Sequence, residues 1–338
     1  MREKYVRVGR GLTLVAAAAL LMAGLWVVGC GGGGGQAEGD AMKVAVLLTG
    51  PISDDGWNAS AWEGVQAIGE ELGAQTARVE SLDKSRFEEN LRQFAAEGYD
   101  LVFGHAYEFQ DATLRVAQDY PQTTFVVVAG NQSAANVGAV HFRLEEASYV
   151  LGALAAQLSD APVIGLVGGE EIPSLKPGFD GFGNGAKSVR PDIQVVTKYV
   201  GNWHDVALGR EHAEALIAQG ADFIFQNADK AGLGVFQAAG EHEGVFAFGS
   251  NKDQNGVAPD AILASAVLDV PAAYLQIARE VKADTYKPAA RAMGVAESVV
   301  SVVINPQHAS RLGPEAAELV GNLEARIADG SLDVLAAR

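Results

Sequence analysis

The sequence predicts an α/β protein with two lobes, each built around a central parallel sheet. Its 338 residues are 49% hydrophobic, which is ample for a buried core, and chains of this length typically form about two domains. Short apolar runs typical of strands alternate with amphipathic segments typical of helices, in two successive series. Because strands joined by helices run parallel with right-handed crossovers, each series predicts one parallel sheet.

The first series begins with an apolar run at 42–50, which ends in glycine and proline and predicts a buried strand. Between residues 60 and 73, apolar side chains recur at the three- and four-residue spacing of a helix. Further strands are predicted at 76–82, 100–106 and 123–130, and further helices at 85–98 and 110–120.

The second series repeats this order without a recognisable sequence repeat. Its predicted strands are 161–169, 193–201, 221–226 and 244–250, and its predicted helices are 181–191, 208–220 and 231–242. Ligands of parallel α/β sheets bind outside the carboxyl ends of the strands. Two lobes that face each other through those ends therefore predict a cleft suited to a small molecule.

The N-terminus is typical of an export signal. Four basic residues precede an apolar run, and the only cysteine, Cys30, follows it. Such an arrangement predicts a secretory signal over residues 1–29, and the cut site resembles a bacterial lipobox, in which the cysteine carries lipid. The glycine-rich stretch after it predicts a flexible tether over 30–41. A cleaved signal with an incidental cysteine and a single transmembrane helix are the alternatives.

The charge balance narrows the range of partners. The formal net charge is −17, and the predicted signal segment carries more basic than acidic residues, so the mature chain is more acidic still. A chain with this charge and no cluster of lysine and arginine is a poor candidate for binding nucleic acid or a highly phosphorylated ligand. Much of the acidity serves solubility.

Motifs for catalysis are not evident. The glycine-rich stretch 178–188 matches neither a dinucleotide fingerprint nor a phosphate loop, and we interpret it as a loop that enters a helix with small residues for close packing. No nucleophile elbow is present, and Cys30 is assigned to lipid. His204, Asp205 and His212 lack the spacing of a metal site. We therefore predict a binding protein, not an enzyme, with no cofactor and no metal.

Polar and aromatic residues follow several predicted strands, where the cleft is expected. These candidate ligand-binding residues are Asp54, Asp55, Trp57, Asn58, His105, Tyr107, Trp203, Asn227, Asp229, Asn251 and Asp253. Either aspartate of the first loop also suits a helix cap, and Trp57 suits a core position. Two tryptophans from opposite lobes suit a flat heterocycle held in a stack. A monosaccharide uses the same groups, so both ligand classes stay open.

Four stretches of the sequence resemble the basic membrane protein family of ABC-importer lipoproteins, which includes purine nucleoside receptors and purine-binding proteins. They are 54–65, 142–156, 199–226 and 232–239. The resemblance implies a type I periplasmic-binding-protein fold, with two Rossmann-like lobes joined by three crossovers that close on the ligand. It also implies that Trp57 and Trp203 sandwich a base, with Asn58 as the amide beside the first ring.

The same resemblance places the crossovers near residues 143–146, 266–270 and 287–296. The predicted lobes are therefore 42–144 with 267–290 at the N-terminal side, and 145–266 with 291–338 at the C-terminal side. A helix at 271–283 is expected to return to the first lobe, and a C-terminal helix at 313–330 to rest on the second.

Three positions depart from the family pattern. Ala129 and Asn251 stand where nucleoside-binding members have carboxylates, and Leu268 stands where they have a lysine. These differences leave a purine base, a purine nucleoside or a related heterocycle as expected ligands.

The expected partners are that ligand, an ABC transporter permease and a membrane reached through the lipid anchor, on the periplasmic or extracellular side. We expect a monomer and no nucleic acid polymer. Alternatives are a sugar receptor on the same fold, a signalling or adhesive lipoprotein, and a nucleoside hydrolase, which would need a metal-binding aspartate cluster.

Overall fold

The computed structural model describes residues 41–54, 56–81 and 83–336. The predicted signal segment, Cys30 and Asp55 lie outside the described residues. Within them the chain forms two six-stranded sheets flanked by helices. The predicted α/β class and the two sheets are confirmed.

Most strands and helices fall close to predicted segments, but the strands at 137–142, 262–268, 290–293 and 300–304 and the helix at 144–158 were not predicted. The strands are β1 (Lys43–Leu48), β2 (Gln75–Glu80), β3 (Leu101–His105), β4 (Thr124–Val128), β5 (Val137–Phe142), β6 (Val163–Gly168), β7 (Gln194–Tyr199), β8 (Phe223–Asn227), β9 (Phe246–Asn251), β10 (Ile262–Leu268), β11 (Ala290–Met293) and β12 (Val300–Ile304). The helices are α1 (Trp57–Leu72), α2 (Phe87–Ala96), α3 (Gln110–Val116), α4 (Leu144–Leu158), α5 (Lys176–Val189), α6 (Val206–Ile217), α7 (Gly232–Glu241), α8 (Val270–Lys282) and α9 (Ala309–Ala328).

The first sheet has the order β11-β5-β4-β3-β1-β2, and all of its strands are parallel. Its central strands are almost continuously apolar because helices cover both faces. Met293 of β11 pairs with Phe142 of β5, so this sheet continues past the predicted boundary at residue 290.

The second sheet has the order β12-β10-β9-β8-β6-β7. Five of its strands are parallel, as predicted, but β12 runs antiparallel to β10. The reason is its connection. β11 ends at the carboxyl edge of the first sheet, and residues 294–299 lead directly into β12 without a helix. The chain therefore enters the second sheet at the edge where its parallel strands end, and must run the opposite way.

The chain passes between the two sheets three times: from β5 to α4, from β10 to α8, and from β11 to β12. The first and third passages are bonded to each other. Arg143 donates its backbone N–H to the carbonyl of Met293 at 2.9 Å, and its guanidinium lies 2.8 Å from the carboxylate of Glu297. Glu146 accepts the N–H of Val295 at 2.7 Å. Burial raises the pKa of Glu146, against the opposing effects of this hydrogen bond and of Arg143.

Helices α4 and α5 pack unusually closely because both carry glycine at their contact. A Cβ atom at Gly152 would lie 2.0 Å from the carbonyl oxygen of Phe182, and one at Gly185 would lie 1.9 Å from that of Tyr149. The predicted close packing of stretch 178–188 is therefore present. The predicted loop is not, because the whole stretch lies inside α5. Contact with α4 outweighs the low helix propensity of its glycines.

In the part of the chain that the structure describes, no helix combines the length and the apolar character needed to cross a membrane.

Candidate ligand-binding cleft

A cavity of about 480 Å³ lies at the carboxyl ends of the strands of both sheets. From the first sheet it is lined by loops after β1, β3, β4 and β5, and from the second by residues at the ends of β6 to β10. Small-molecule pockets of proteins typically measure about 300–1,000 Å³. The cavity is therefore large enough for one small ligand in contact with both lobes.

The structure brings most of the predicted site residues together. Those that line the cavity are Asp54, Trp57, Asn58, Tyr107, Trp203, Asn227, Asp229 and Asn251. His105 is not among the lining residues and lies behind Trp57. Asp253 is exposed outside the cavity, where its carboxylate accepts the backbone N–H of Asn255.

Hydrogen bonds at the N-terminus of α1 hold Asp54 and Asn58 in place. The buried carboxylate of Asp54 accepts the backbone N–H groups of Gly56, Asn58 and Ala59 at 3.1, 2.7 and 3.0 Å, and the side-chain amide of Asn58 at 2.8 Å. The amide oxygen of Asn58 accepts the N–H of Gly50 at 3.2 Å. A carboxylate at this end of a helix satisfies N–H groups that lack helical partners. Asp54 therefore caps α1, as one of the two sequence interpretations predicted.

Trp57 is held in a fixed orientation by His105. The two rings are stacked, with centroids 4.0 Å apart and an interplanar angle of 29°. The indole N–H donates to the carbonyl of His105 at 3.1 Å, and His105 Nε2 lies 3.0 Å from the carbonyl of Trp57. One face of the indole is thus covered by the imidazole. The half-buried indole borders the cavity with the part of the ring that His105 does not cover.

His105 is buried and neutral. Its Nε2 carries the proton that reaches the Trp57 carbonyl, so Nδ1 accepts the hydroxyl of Tyr274 at 2.6 Å. Burial lowers the pKa of His105 to about 3, although the hydrogen bond to Trp57 acts in the opposite direction. Tyr274 is in turn stacked on Phe103 at 3.8 Å between centroids. His105 therefore supports the covered face of the Trp57 indole.

This burial predicts a pH dependence of stability. The folded His105 binds no proton above about pH 3, whereas in the unfolded chain it binds one below about pH 6.5. Its contribution to stability is therefore complete above pH 6.5 and is lost as the pH falls towards 3. We expect His105→Gln to reduce the slope of unfolding free energy against pH between 5 and 6 by up to about 1.4 kcal/mol per pH unit. Urea titrations across this range measure it, and equal slopes in both proteins would contradict it.

Trp203 is placed by a loop whose conformation follows from its own residues. Gly201 has a φ of +81°, and the Asn202 side chain accepts the N–H groups of His204 and Asp205 at 3.0 and 2.8 Å. Asp205 then caps α6. The indole lies against Gly169, where a Cβ atom would come within 2.2 Å of the ring. A glycine after β6 is therefore required for this ring to border the cavity.

Backbone strain is concentrated in this cavity. Ala129, Asp229 and Asn251 have φ angles of +58°, +48° and +67°, and all three line it at strand ends. Aspartate and asparagine populate this left-handed region more readily than alanine does. Strain of this kind is typical of functional sites, where the surrounding structure holds it in place.

The cavity has an acidic side. Asp229, half-buried, borders it together with Asp54 and Glu108. The pKa of Asp229 is raised well above its usual range, first by burial and then by the nearby carboxylates of Asp54 and Glu108. Lys230 also borders the cavity.

Several lining residues were absent from the sequence prediction, among them Glu108, His141, Phe142, Leu144, Ile172 and Leu175. Only Leu144 lies within two residues of a preceding strand end. His141 and Phe142 lie inside β5, which was not predicted, and Glu108, Ile172 and Leu175 lie three or more residues past a strand end, so position after a predicted strand could not single them out. Phe142, Leu144 and Leu175 read as core residues because they are apolar.

The two lobes contact each other beside the cavity. The ammonium group of Lys252, from the second lobe, lies 2.7 Å from the Glu63 carboxylate on α1. The 3-10 turn Ile52–Asp54 of the first lobe also contacts the 3-10 turn Asp229–Ala231 of the second.

For the described residues, no cluster of three histidine, cysteine or acidic side chains has the geometry of a metal site. Asp205 is occupied as a helix cap, and His212 lies half-buried on α6.

The chain is similar to known proteins in both sequence and fold. Residues 41–319 match the family model described as ABC transporter substrate-binding protein, PnrA-like. The chain is 30% identical over 307 residues to a purine-binding protein of Brucella abortus (strain 2308), covering 89% of this chain and 85% of that protein. It is 31% identical over 259 residues to the ABC transporter nucleoside-binding protein BmpA of Lactococcus lactis subsp. cremoris (strain MG1363), covering 71% and 74%.

A solved structure supports the fold. The crystal structure of ABC transporter system solute-binding proteins from Aeropyrum pernix K1 superposes with a TM-score of 0.78 at 21% identity, covering 86% of this chain and 92% of that one. The likeness agrees with the two-lobe, type I arrangement expected from the sequence.

Proposed function

Because this chain belongs to the PnrA-like family of ABC transporter substrate-binding proteins, we propose that it captures a purine base or purine nucleoside between its lobes by aromatic stacking. The observation that carries the proposal is that Trp57 and Trp203, from opposite lobes, line one cavity. The family is one of binding proteins, not enzymes. Two relatives named for purine and nucleoside binding support the ligand class.

The two rings differ in how they are supported. Trp57 is backed by His105, so a ligand meets only its other face. Trp203 lies against the backbone of Gly169. Rings held in place before binding lose little freedom when they stack on a heterocycle, which favours affinity.

The charges of the cavity disfavour phosphorylated ligands. Asp54, Glu108 and Asp229 border it from both lobes, against the single ammonium group of Lys230 among the described lining residues. A phosphate group at this site would face uncompensated carboxylates. We therefore propose bases or nucleosides, not nucleotides, as the cargo.

The end of the cavity near the crossovers is mostly apolar, with His141 as the polar side chain among its described lining residues. Sheet order places the ends of β4, β5 and β10 on that side, where Ala129, Phe142, Leu144 and Leu268 line the wall. Ribose hydroxyls set against such a wall have few partners, and each unpaired buried polar group costs about 1–3 kcal/mol. The wall therefore favours a free base over its nucleoside.

We further propose that ligand contacts to both lobes stabilise the closed cleft, which a membrane permease then recognises. The N-terminal sequence supports export and lipid attachment at Cys30, so the protein would work outside the cytoplasm on a membrane surface. A sugar receptor on the same fold is the alternative, because stacked aromatic rings and carboxylates also suit a monosaccharide.

A thermal-shift panel tests the ligand class. Purified full chain is heated with adenine, guanine, hypoxanthine, their nucleosides, their nucleotides, ribose and glucose. A ligand at 100 times its Kd adds about 2.7 kcal/mol of stability, which raises the Tm by several degrees. We expect the largest shifts with bases, smaller shifts with nucleosides and none with nucleotides or ribose. Shifts with sugars alone would overturn the purine proposal and favour the alternative.

A further inference from the structure

Asp229 lines the cleft from a turn that is held in place by hydrogen bonds. It begins the 3-10 turn Asp229–Ala231 at the end of β8, in the second lobe, with a left-handed backbone at φ +48°. The turn is fixed because the N–H of Ala231 reaches the carbonyls of both Ala228 and Trp203, at 3.0 and 3.1 Å. The loop that carries Trp203 and the turn that carries Asp229 are thereby joined.

The Asp229 carboxyl group lacks the partners that its neighbour Asp54 has. Asp54 accepts four hydrogen bonds within α1 and its preceding loop. Among the described residues, none donates a hydrogen bond to the Asp229 carboxyl group, and none forms an ion pair with it. Because the carboxyl group borders the cavity, a donor on a bound ligand can reach it.

The first lobe offers Asp229 no cation either. The carboxylates of Asp54 and Glu108, after β1 and β3, are the groups that act on it electrostatically, and both oppose its negative charge. The remaining titratable residues that line the cavity are Tyr107, His141, His204 and Lys230. Closing the lobes thus brings like charges together unless a donor is placed between them.

Resting on the proposed function, we propose that Asp229 accepts an N–H of the bound heterocycle, and that this contact offsets the repulsion between the lobes on closure. The ligand class is an uncharged or cationic heterocycle with an N–H donor edge. Purine bases carry such donors on the ring and on exocyclic amino groups. When the cleft is empty, closure brings the carboxylates of the two lobes together with no donor between them. The contact between the ligand and Asp229 therefore couples recognition to closure.

The mechanism has a proton signature. The pKa of Asp229 is raised in the free protein, so the carboxyl group holds a proton to a higher pH than usual. An N–H donor favours the carboxylate form, because it stabilises the charge. Binding should therefore release protons, and affinity should rise as the pH increases through the raised pKa.

The test is calorimetry of wild type and Asp229→Asn with adenine, guanine and hypoxanthine. Each titration is repeated in buffers of different ionisation enthalpy, which reveals the number of protons released. Asparagine tolerates the left-handed backbone and keeps the shape of the side chain. We expect at least tenfold weaker binding and loss of the proton release in the variant. Its Tm without ligand should stay equal or rise, because a like charge has been removed.

Asp284→Asn is the matched control. Asp284 also has a left-handed backbone, with φ +54°, but it is exposed and far along the chain after α8. This variant should keep both the Kd and the proton release of wild type. Equal affinity, or undiminished proton release, in Asp229→Asn would overturn the inference while leaving the ligand class intact. Failure of the wild type to bind any of the three bases or their nucleosides would instead overturn the proposed function.

Discussion

Replacing Trp203 with alanine is expected to weaken ligand binding by at least tenfold. Stacking of a base on an aromatic ring contributes about 1–3 kcal/mol, and alanine removes one of the two rings that line the cavity. Because the loop is held by Asn202 and Asp205, the backbone should keep its course in the variant. Calorimetry with the best ligand of the thermal-shift panel measures the change in Kd.

Trp62→Ala is the control for this experiment. Trp62 is a half-buried tryptophan on α1 outside the cavity, with the guanidinium of Arg78 4.5 Å from its ring centroid. Its removal should lower the Tm but leave the Kd near that of wild type. An unchanged Kd in Trp203→Ala, with the protein folded, would contradict the sandwich of the ligand between two rings.

Gly185→Ala is expected to destabilise the protein strongly. The new Cβ would lie 1.9 Å from the carbonyl oxygen of Tyr149, on a helix that is buried along most of its length. Overpacking of this kind typically costs about 1–3 kcal/mol, and more where the backbone must shift. Equilibrium unfolding in urea measures the loss.

Gly183 provides a control on the same helix, because no atom lies within 4 Å of a Cβ placed there. Alanine has the higher helix propensity, so Gly183→Ala should stabilise the protein by about 0.5–1 kcal/mol. Opposite effects at two glycines in one helix would show that contact with α4, and not glycine itself, is responsible. Similar effects at both positions would argue against close packing as the cause.

The site could be predicted in outline because sequence order determines where strand ends lie. Trp57, Trp203, Asp229 and Asn251 all follow or end predicted strands, and all reach the cavity. Asp253 met the same criterion but is exposed, because the chain turns at Lys252 and directs it to solvent. Position after a strand thus predicts the end of the sheet at which a residue lies, but not whether its side chain faces the cavity or the solvent.

The alternation of apolar runs and amphipathic helices by itself determined the α/β class, the two sheets and most element positions, because burial of apolar side chains follows local periodicity. Only the tertiary structure decided that β12 is antiparallel and that α5 begins before residue 181 and includes 178–180, since both depend on neighbours distant in sequence. The roles of His105 and Asp54 were decided in the same way. Their polar atoms bond to Tyr274, to Trp57 and to the start of α1, and contacts of this kind become visible only when the chain has folded.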